Sequence, residues 1–244
     1  METVTYVQVL EREGTLLAAA AEAAGTEAKV PTCPGWQMRD LLRHTGMVHR
    51  WAAAFVAEGH TAYRPDGGLP DLDGADLLGW FREGHRGLVG TLSAAAPDVE
   101  CWHFLPAPSP LAFWARRQAH ETTVHRIDAE SATGAGLTGI DDAFAVDGIE
   151  ELLLGLHTRT KSRVRSEEPR VLRVRATDVA GAVWTVRLSE QPPATERSAA
   201  GDADCEVAGP AAQLYPALWN RLEFPEVTGD AAVAALWREN SAVT

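Results

Sequence analysis

Residues 113–131 contain neither glycine nor proline, and this run predicts one continuous helix. Glu121 and His125 lie four residues apart on it and Asp128 follows three later, so their side chains share one stripe. A buried helix face carrying three titratable groups is costly unless something neutralises them, and a divalent cation does so directly. Glu-x-x-x-His spacing also lets one helix give two ligands to the same ion. A second segment, Arg43-His44-Thr45-Gly46-Met47-Val48-His49, falls on another predicted helix, from which His44 could supply a third ligand. The outcome would be an open His2Glu centre, with at least one coordination position left for an incoming molecule. The plainer reading of each histidine is a capped or solvated side chain on a helix face.

The chain of 244 residues is 45% hydrophobic and 23% charged, enough apolar material for one large or two modest cores. Its formal net charge of −12 argues against a nucleic-acid partner, because neutralising phosphates needs a concentrated basic face. A small-molecule partner fits better. Cys33, Cys101 and Cys205 are far apart and lack Cys-x-x-Cys spacing, so free thiols in a reducing compartment, the cytoplasm, are expected. The first residues show no basic and apolar leader pattern, and no run reaches the length of a membrane span. The alanine-rich stretch 16–24 is short, is interrupted by Glu22, and reads as helix.

Helical spacing of apolar residues predicts a first helix over 6–24, a second from Met38 that bears His44, a third over 74–95 and the fourth over 113–131. Residues 59–72, rich in Gly, Pro and Asp, read as a loop serving as a wall or lid, and the proline-rich run 104–110 reads as a crossover. Four helices with two long connections predict a bundle holding the metal between facing helices. After Ala132 the texture changes. One more helix is expected over 141–156, followed by an antiparallel hairpin whose strands, 171–176 and 183–188, alternate apolar with polar residues. A weaker strand over 205–208, a helix over 210–221 containing Pro216 and a last helix over 231–239 complete the reading. The expected domain boundary lies near residue 160, giving domains 1–160 and 161–244.

Three blocks carry a family likeness. Val30-Pro31-Thr32-Cys33-Pro34-Gly35-Trp36, with His44 eight residues after Trp36, is the first, and His120-Glu121-x-x-x-His125-Arg126-x-Asp128-Ala129-Glu130 is the second. Gly209-Pro210-Ala211-Ala212 together with Leu218-Trp219-Asn220-Arg221-Leu222 forms a looser third. The chain resembles the actinobacterial mycothiol-dependent maleylpyruvate isomerase family over nearly its whole length. The resemblance implies an α+β protein in which a DinB-like four-helix bundle precedes a smaller, sterol-carrier-like α/β domain. It also implies a divalent metal, commonly zinc, held by His44, Glu121 and His125, with mycothiol as thiol cofactor. A catalytic arginine is implied at Arg221, where the plainer reading is a helix-end arginine favoured by the dipole.

His49 competes with His44, but residues five apart on a helix point about 140° away from each other, so both cannot reach one ion. The register after Trp36 favours His44, leaving His49 as pocket lining or a donor behind the ligands. Asp128 could orient the His125 imidazole, although pairing with Arg116 or Arg117 is the favoured reading. His120 is expected to be structural. Cys33 has no adjacent base and reads as a small buried cysteine, and the tryptophans read as core, with Trp51 or Trp114 able to wall a pocket. The implied activity is cis-trans isomerisation, or thiol transfer to an electrophile, through a metal-activated thiolate. The competing class is a non-catalytic module that binds a metal or small ligand.

Overall fold

A computed structural model describes residues 1–243 and divides the chain into two compact units, Met1–Thr138 and Gly139–Thr244. The first holds four long helices: α1 (Thr3–Ala24), α2 (Met38–Glu58), α3 (Gly74–Ala94) and α4 (Pro110–Ser131). The second holds α5 (Asp142–Glu150), a π-helical continuation (Glu151–Leu156), strands β1 (Arg170–Ala176), β2 (Val183–Leu188), β3 (Ala194–Glu196), β4 (Cys205–Gly209) and β5 (Glu226–Gly229), and helices α6 (Ala211–Leu218) and α7 (Ala231–Asn240). The fold is therefore α+β. The units divide earlier than residue 160, because α5 packs on α6 and its π-helical continuation on β3, rather than extending the bundle. No helix among the described residues is long and apolar enough to cross a membrane.

Three of the four bundle helices, α2, α3 and α4, begin where the sequence supplies a cap. In α2 the Asp40 carboxylate accepts from the Gln37 backbone N–H at 2.9 Å, closing a capping box, and Gly59 ends the helix in the left-handed region at φ 63°. Helix α4 starts earlier than residue 113: Ser109 Oγ accepts from the Ala112 N–H at 3.1 Å, and Pro110 occupies the first turn, where its missing N–H costs nothing. Leu10, Leu17, Met38, Leu41, Phe55, Leu77 and Phe81 make a core from α1, α2 and α3 that is essentially sealed from solvent. At Gly14 the absent side chain leaves room for the His85 imidazole, which reaches the Leu10 carbonyl at 3.0 Å.

Helix α4 is buried on every side, polar residues included. Its Arg126 is fully buried and bonds Glu13 of α1 through Nε at 2.7 Å, and Glu130 and the Thr138 carbonyl through Nη1 at 2.7 and 2.9 Å. Glu13 completes its shell with Arg12 at 2.7 Å, and Glu130 with the Thr138 hydroxyl at 2.6 Å. These opposite charges satisfy one another, which is the condition for burying them at all.

In the second unit the sheet order is β3-β2-β1-β4-β5, with β1 and β4 parallel and the other pairs antiparallel. The expected hairpin is present, with Leu172 opposite Val186 and Val174 opposite Trp184. β4, read as weak from sequence, is central, with Cys205, Val207 and Ala208 buried. Strands β3 and β5 were not anticipated: one is three residues long after Pro192-Pro193 and the other is wholly exposed, so neither carries a hydrophobic pattern. Helix α6 stops at Leu218 instead of residue 221 because Asn220 takes the left-handed conformation, φ 62°.

Candidate metal centre

Capping and burial set α2 and α4 with His44 facing Glu121 and His125. His44 Nε2 lies 3.4 Å from Glu121 Oε1, and His125 Nε2 lies 3.2 Å from the same oxygen. One nitrogen or oxygen from each residue falls within 4.8 Å of the others, the arrangement of a three-ligand cation site. In a tetrahedral zinc site with bonds near 2.1 Å, neighbouring ligand atoms stand about 3.4 Å apart, so the separations of 3.4 and 3.2 Å already match an edge of that figure. Two imidazoles and one carboxylate are also a donor set that zinc accepts with a fourth position free. The residues present therefore fit a catalytic-type divalent metal.

The surrounding side chains hold this geometry. Asp128 Oδ2 lies 2.9 Å from His125 Nδ1, while its Oδ1 accepts from the Thr32 hydroxyl at 2.6 Å. The orienting role of Asp128 is thus the one the geometry realises, in place of the favoured pairing with Arg116 or Arg117. Arg117 instead bonds Glu121 Oε2 at 2.8 Å. Ser131 Oγ sits 3.2 Å from Thr32 Oγ1 and bonds the Asp128 carbonyl at 2.7 Å, tying the turn before α2 to the end of α4. The Trp36 ring lies 5.3 Å from the His44 ring and 6.4 Å from that of His125, shielding one side of the cluster.

Burial opposes the charge on Glu121, yet hydrogen bonds from His125 and His44 and the nearby Arg117 guanidinium hold its carboxyl well below the usual range. Burial likewise pulls His125 down, but Asp128 and Glu121 reverse this and push it up to about 9. Without an ion, a proton on His125 is held between two carboxylates, and a bound cation would replace it.

His49 is buried elsewhere: its Nε2 lies 2.9 Å from Thr122 Oγ1, and its ring packs 5.6 Å from both Phe81 and His85. Burial, with His85 second, holds it well below the ordinary histidine range, so it is a neutral core residue and not one of the converging donors. His120 is buried with its ring edge-on to Tyr6. Cys33 is half-buried, and all three cysteines are free thiols. In the second unit Arg221 lies beyond the end of α6, where its Nη1 donates to the Trp219 carbonyl at 2.6 Å. Sequence reasoning missed Thr32 and Arg117 as supports. Arg117 was detectable, since it stands four residues before Glu121. Thr32 was not, because only folding brings the turn to Asp128.

Residues 7–130 match the sequence model described as the mycothiol maleylpyruvate isomerase N-terminal domain, and residues 143–236 match the MDMPI C-terminal domain. No curated protein matches the chain. Among solved structures, a crystal structure of mycothiol-dependent maleylpyruvate isomerase superposes with a TM-score of 0.65 at 12% identity, covering 93% of this chain and 92% of that one. A histidine-to-alanine variant of that enzyme superposes with a TM-score of 0.63 at 11% identity, covering 91% and 90%. At such identities the likeness is one of fold.

Proposed function

Because the chain belongs to the mycothiol maleylpyruvate isomerase family, we propose that it is a metal-dependent isomerase that uses mycothiol to convert a maleyl-type keto-acid from cis to trans. The observation that carries this reading is the approach of His44, Glu121 and His125 to within 4.8 Å in a donor set suited to zinc. When bound there, the metal would lower the pKa of a coordinated thiol, making available at neutral pH the thiolate needed for reversible addition across a conjugated double bond. His44 and His125 would offer neutral nitrogens, and Glu121 would supply the one negative charge. Asp128 accepts from His125 Nδ1, which leaves the Nε2 lone pair directed at the metal position. Arg117 occupies Glu121 Oε2 and so directs Oε1 toward the histidines. Arg221 is assigned, by family resemblance, to bind a substrate carboxylate through its paired donors.

Thiol transfer to an electrophile without isomerisation is the nearest alternative chemistry. The test measures metal per chain and mycothiol-dependent loss of maleylpyruvate for wild type, His44→Ala, Glu121→Ala, His125→Ala and Arg221→Met. The reading requires loss of metal in the first three variants and loss of turnover, with metal retained, in the fourth. Stoichiometric metal without thiol-dependent turnover would instead favour a non-catalytic binding module.

A further inference from the structure

A cavity of about 460 Å3 opens in the first unit between the second half of α2, the 59–72 loop and Trp80 of α3. None of the three converging metal donors lines it. Its apolar wall is built from Trp51, Phe55 and Trp80, and its only titratable lining residues are Arg50, His60 and Arg64. Among the described residues no carboxylate lines it, but Glu83 pairs with Arg50 at 3.5 Å and Glu58 with His60 at 2.8 Å, so Arg64 is the lining cation left unmatched. This volume lies within the range of small-molecule sites, which pair an apolar surface with a few placed polar groups.

The three polar residues are not equivalent. Arg50 sits over the Trp80 ring, its Cζ 3.9 Å from the centroid, and donates to the Trp80 carbonyl at 2.7 Å and the Gly46 carbonyl at 3.2 Å. His60 pairs with Glu58 at 2.8 Å. Arg64 is held differently: Trp51 Nε1 donates to its carbonyl at 2.8 Å, while its guanidinium has no hydrogen bond or ion pair among the described residues. Its backbone anchored to the Trp51 side chain, Arg64 thus places an exposed, uncommitted guanidinium group at the lining of an aromatic-walled cavity, and such a group can receive a carboxylate bidentately. We propose that this cavity is a second ligand site, taking an organic carboxylate with a planar apolar body: the body lies against Trp51 and Trp80 and the carboxylate meets Arg64.

The test titrates the full chain with 2-naphthoate and its neutral analogue 2-naphthamide, following tryptophan fluorescence and calorimetry. Saturable binding of 2-naphthoate is expected, weakened about tenfold or more by Arg64→Gln, as befits loss of a charged hydrogen-bonded pair. The amide should bind at least as weakly as naphthoate binds that variant, and should be indifferent to the substitution. Protein stripped by a chelator should bind naphthoate unchanged. Absence of saturable binding, an affinity unaffected by Arg64→Gln, equal affinity for the amide, or loss of binding on stripping would each overturn the proposal. The last outcome would assign the anion to the metal centre, and none of them bears on whether the His44, Glu121 and His125 cluster binds metal.

Discussion

Helix α4 carries two buried polar clusters whose contrast is instructive. Around Arg126, every charge has a counter-charge or carbonyl within hydrogen-bond reach, with Glu13 and Glu130 on the guanidinium and Arg12 and Thr138 completing the carboxylates. Around Glu121 and His125, the supports sit behind the cluster while the facing atoms of three residues converge on a single point. The first arrangement is structural, with Arg126 Nη2 left without a partner among the described residues, and the second converges on a point suited to a ligand. Burial and charge alone do not distinguish them. What differs is whether ligand atoms of three residues, His and carboxylate together, converge within one ion's reach.

Replacing a ligand should give the largest effect. Glu121→Ala or His125→Ala is expected to reduce metal content from stoichiometric to background by elemental analysis. Retention of full metal would erase the distinction between the clusters. Arg126→Met tests the other side: leaving Glu13 and Glu130 without their shared cation should destabilise the first unit by about 3–5 kcal/mol in denaturant unfolding, while metal affinity per folded chain stays the same. Asp128→Asn lies between these, since it keeps the shape but weakens the hold on His125. About a 10–100-fold loss of metal affinity is expected by competition with a chelator, and an unchanged affinity would reduce Asp128 to a packing residue.

The smallest effect concerns pH. Because the folded-state value of His125 is pushed up to about 9 from an ordinary 6.5, its proton stabilises the metal-free fold fully below pH 6.5, and this contribution is lost as pH rises through 9. Thermal melts of metal-free protein should therefore fall over that window, and metal-loaded protein should not show this component, since the ion stands in the proton's place. Melts that track each other with and without metal would contradict the account.

Much of this was written locally. The absence of glycine and proline across α4, the Glu121 to His125 spacing and the alternation in β1 and β2 are short-range patterns, and each has its counterpart in the structure. The meeting of His44 with Glu121 is not local, since 77 residues separate them, and it was reached from the Trp36 register of a family likeness. What remained illegible depended on neighbours. Arg116 and Arg117 stand twelve and eleven residues from Asp128 on one helix, about 16–18 Å along its axis and out of reach, and it is the turn holding Thr32 that fixes its second oxygen. β5 shows no pattern because its side chains are exposed, and it exists only because β4 offers an edge.

The pairing of Arg126 with Glu13 also bears on how the first unit assembles. The partners are 113 residues apart, and both side chains are entirely withdrawn from water. A chain that buried either one alone would leave Glu13 with only the half-exposed Arg12, or Arg126 with only Glu130 and a carbonyl, and breaking such a buried pair costs several kcal/mol. Docking α1 onto α4 therefore completes both charges at once, joining the N-terminal segment to one made much later on the ribosome. Amide protons in both should exchange only through the same global opening, whereas helices so distant in sequence and not tied in this way fray independently.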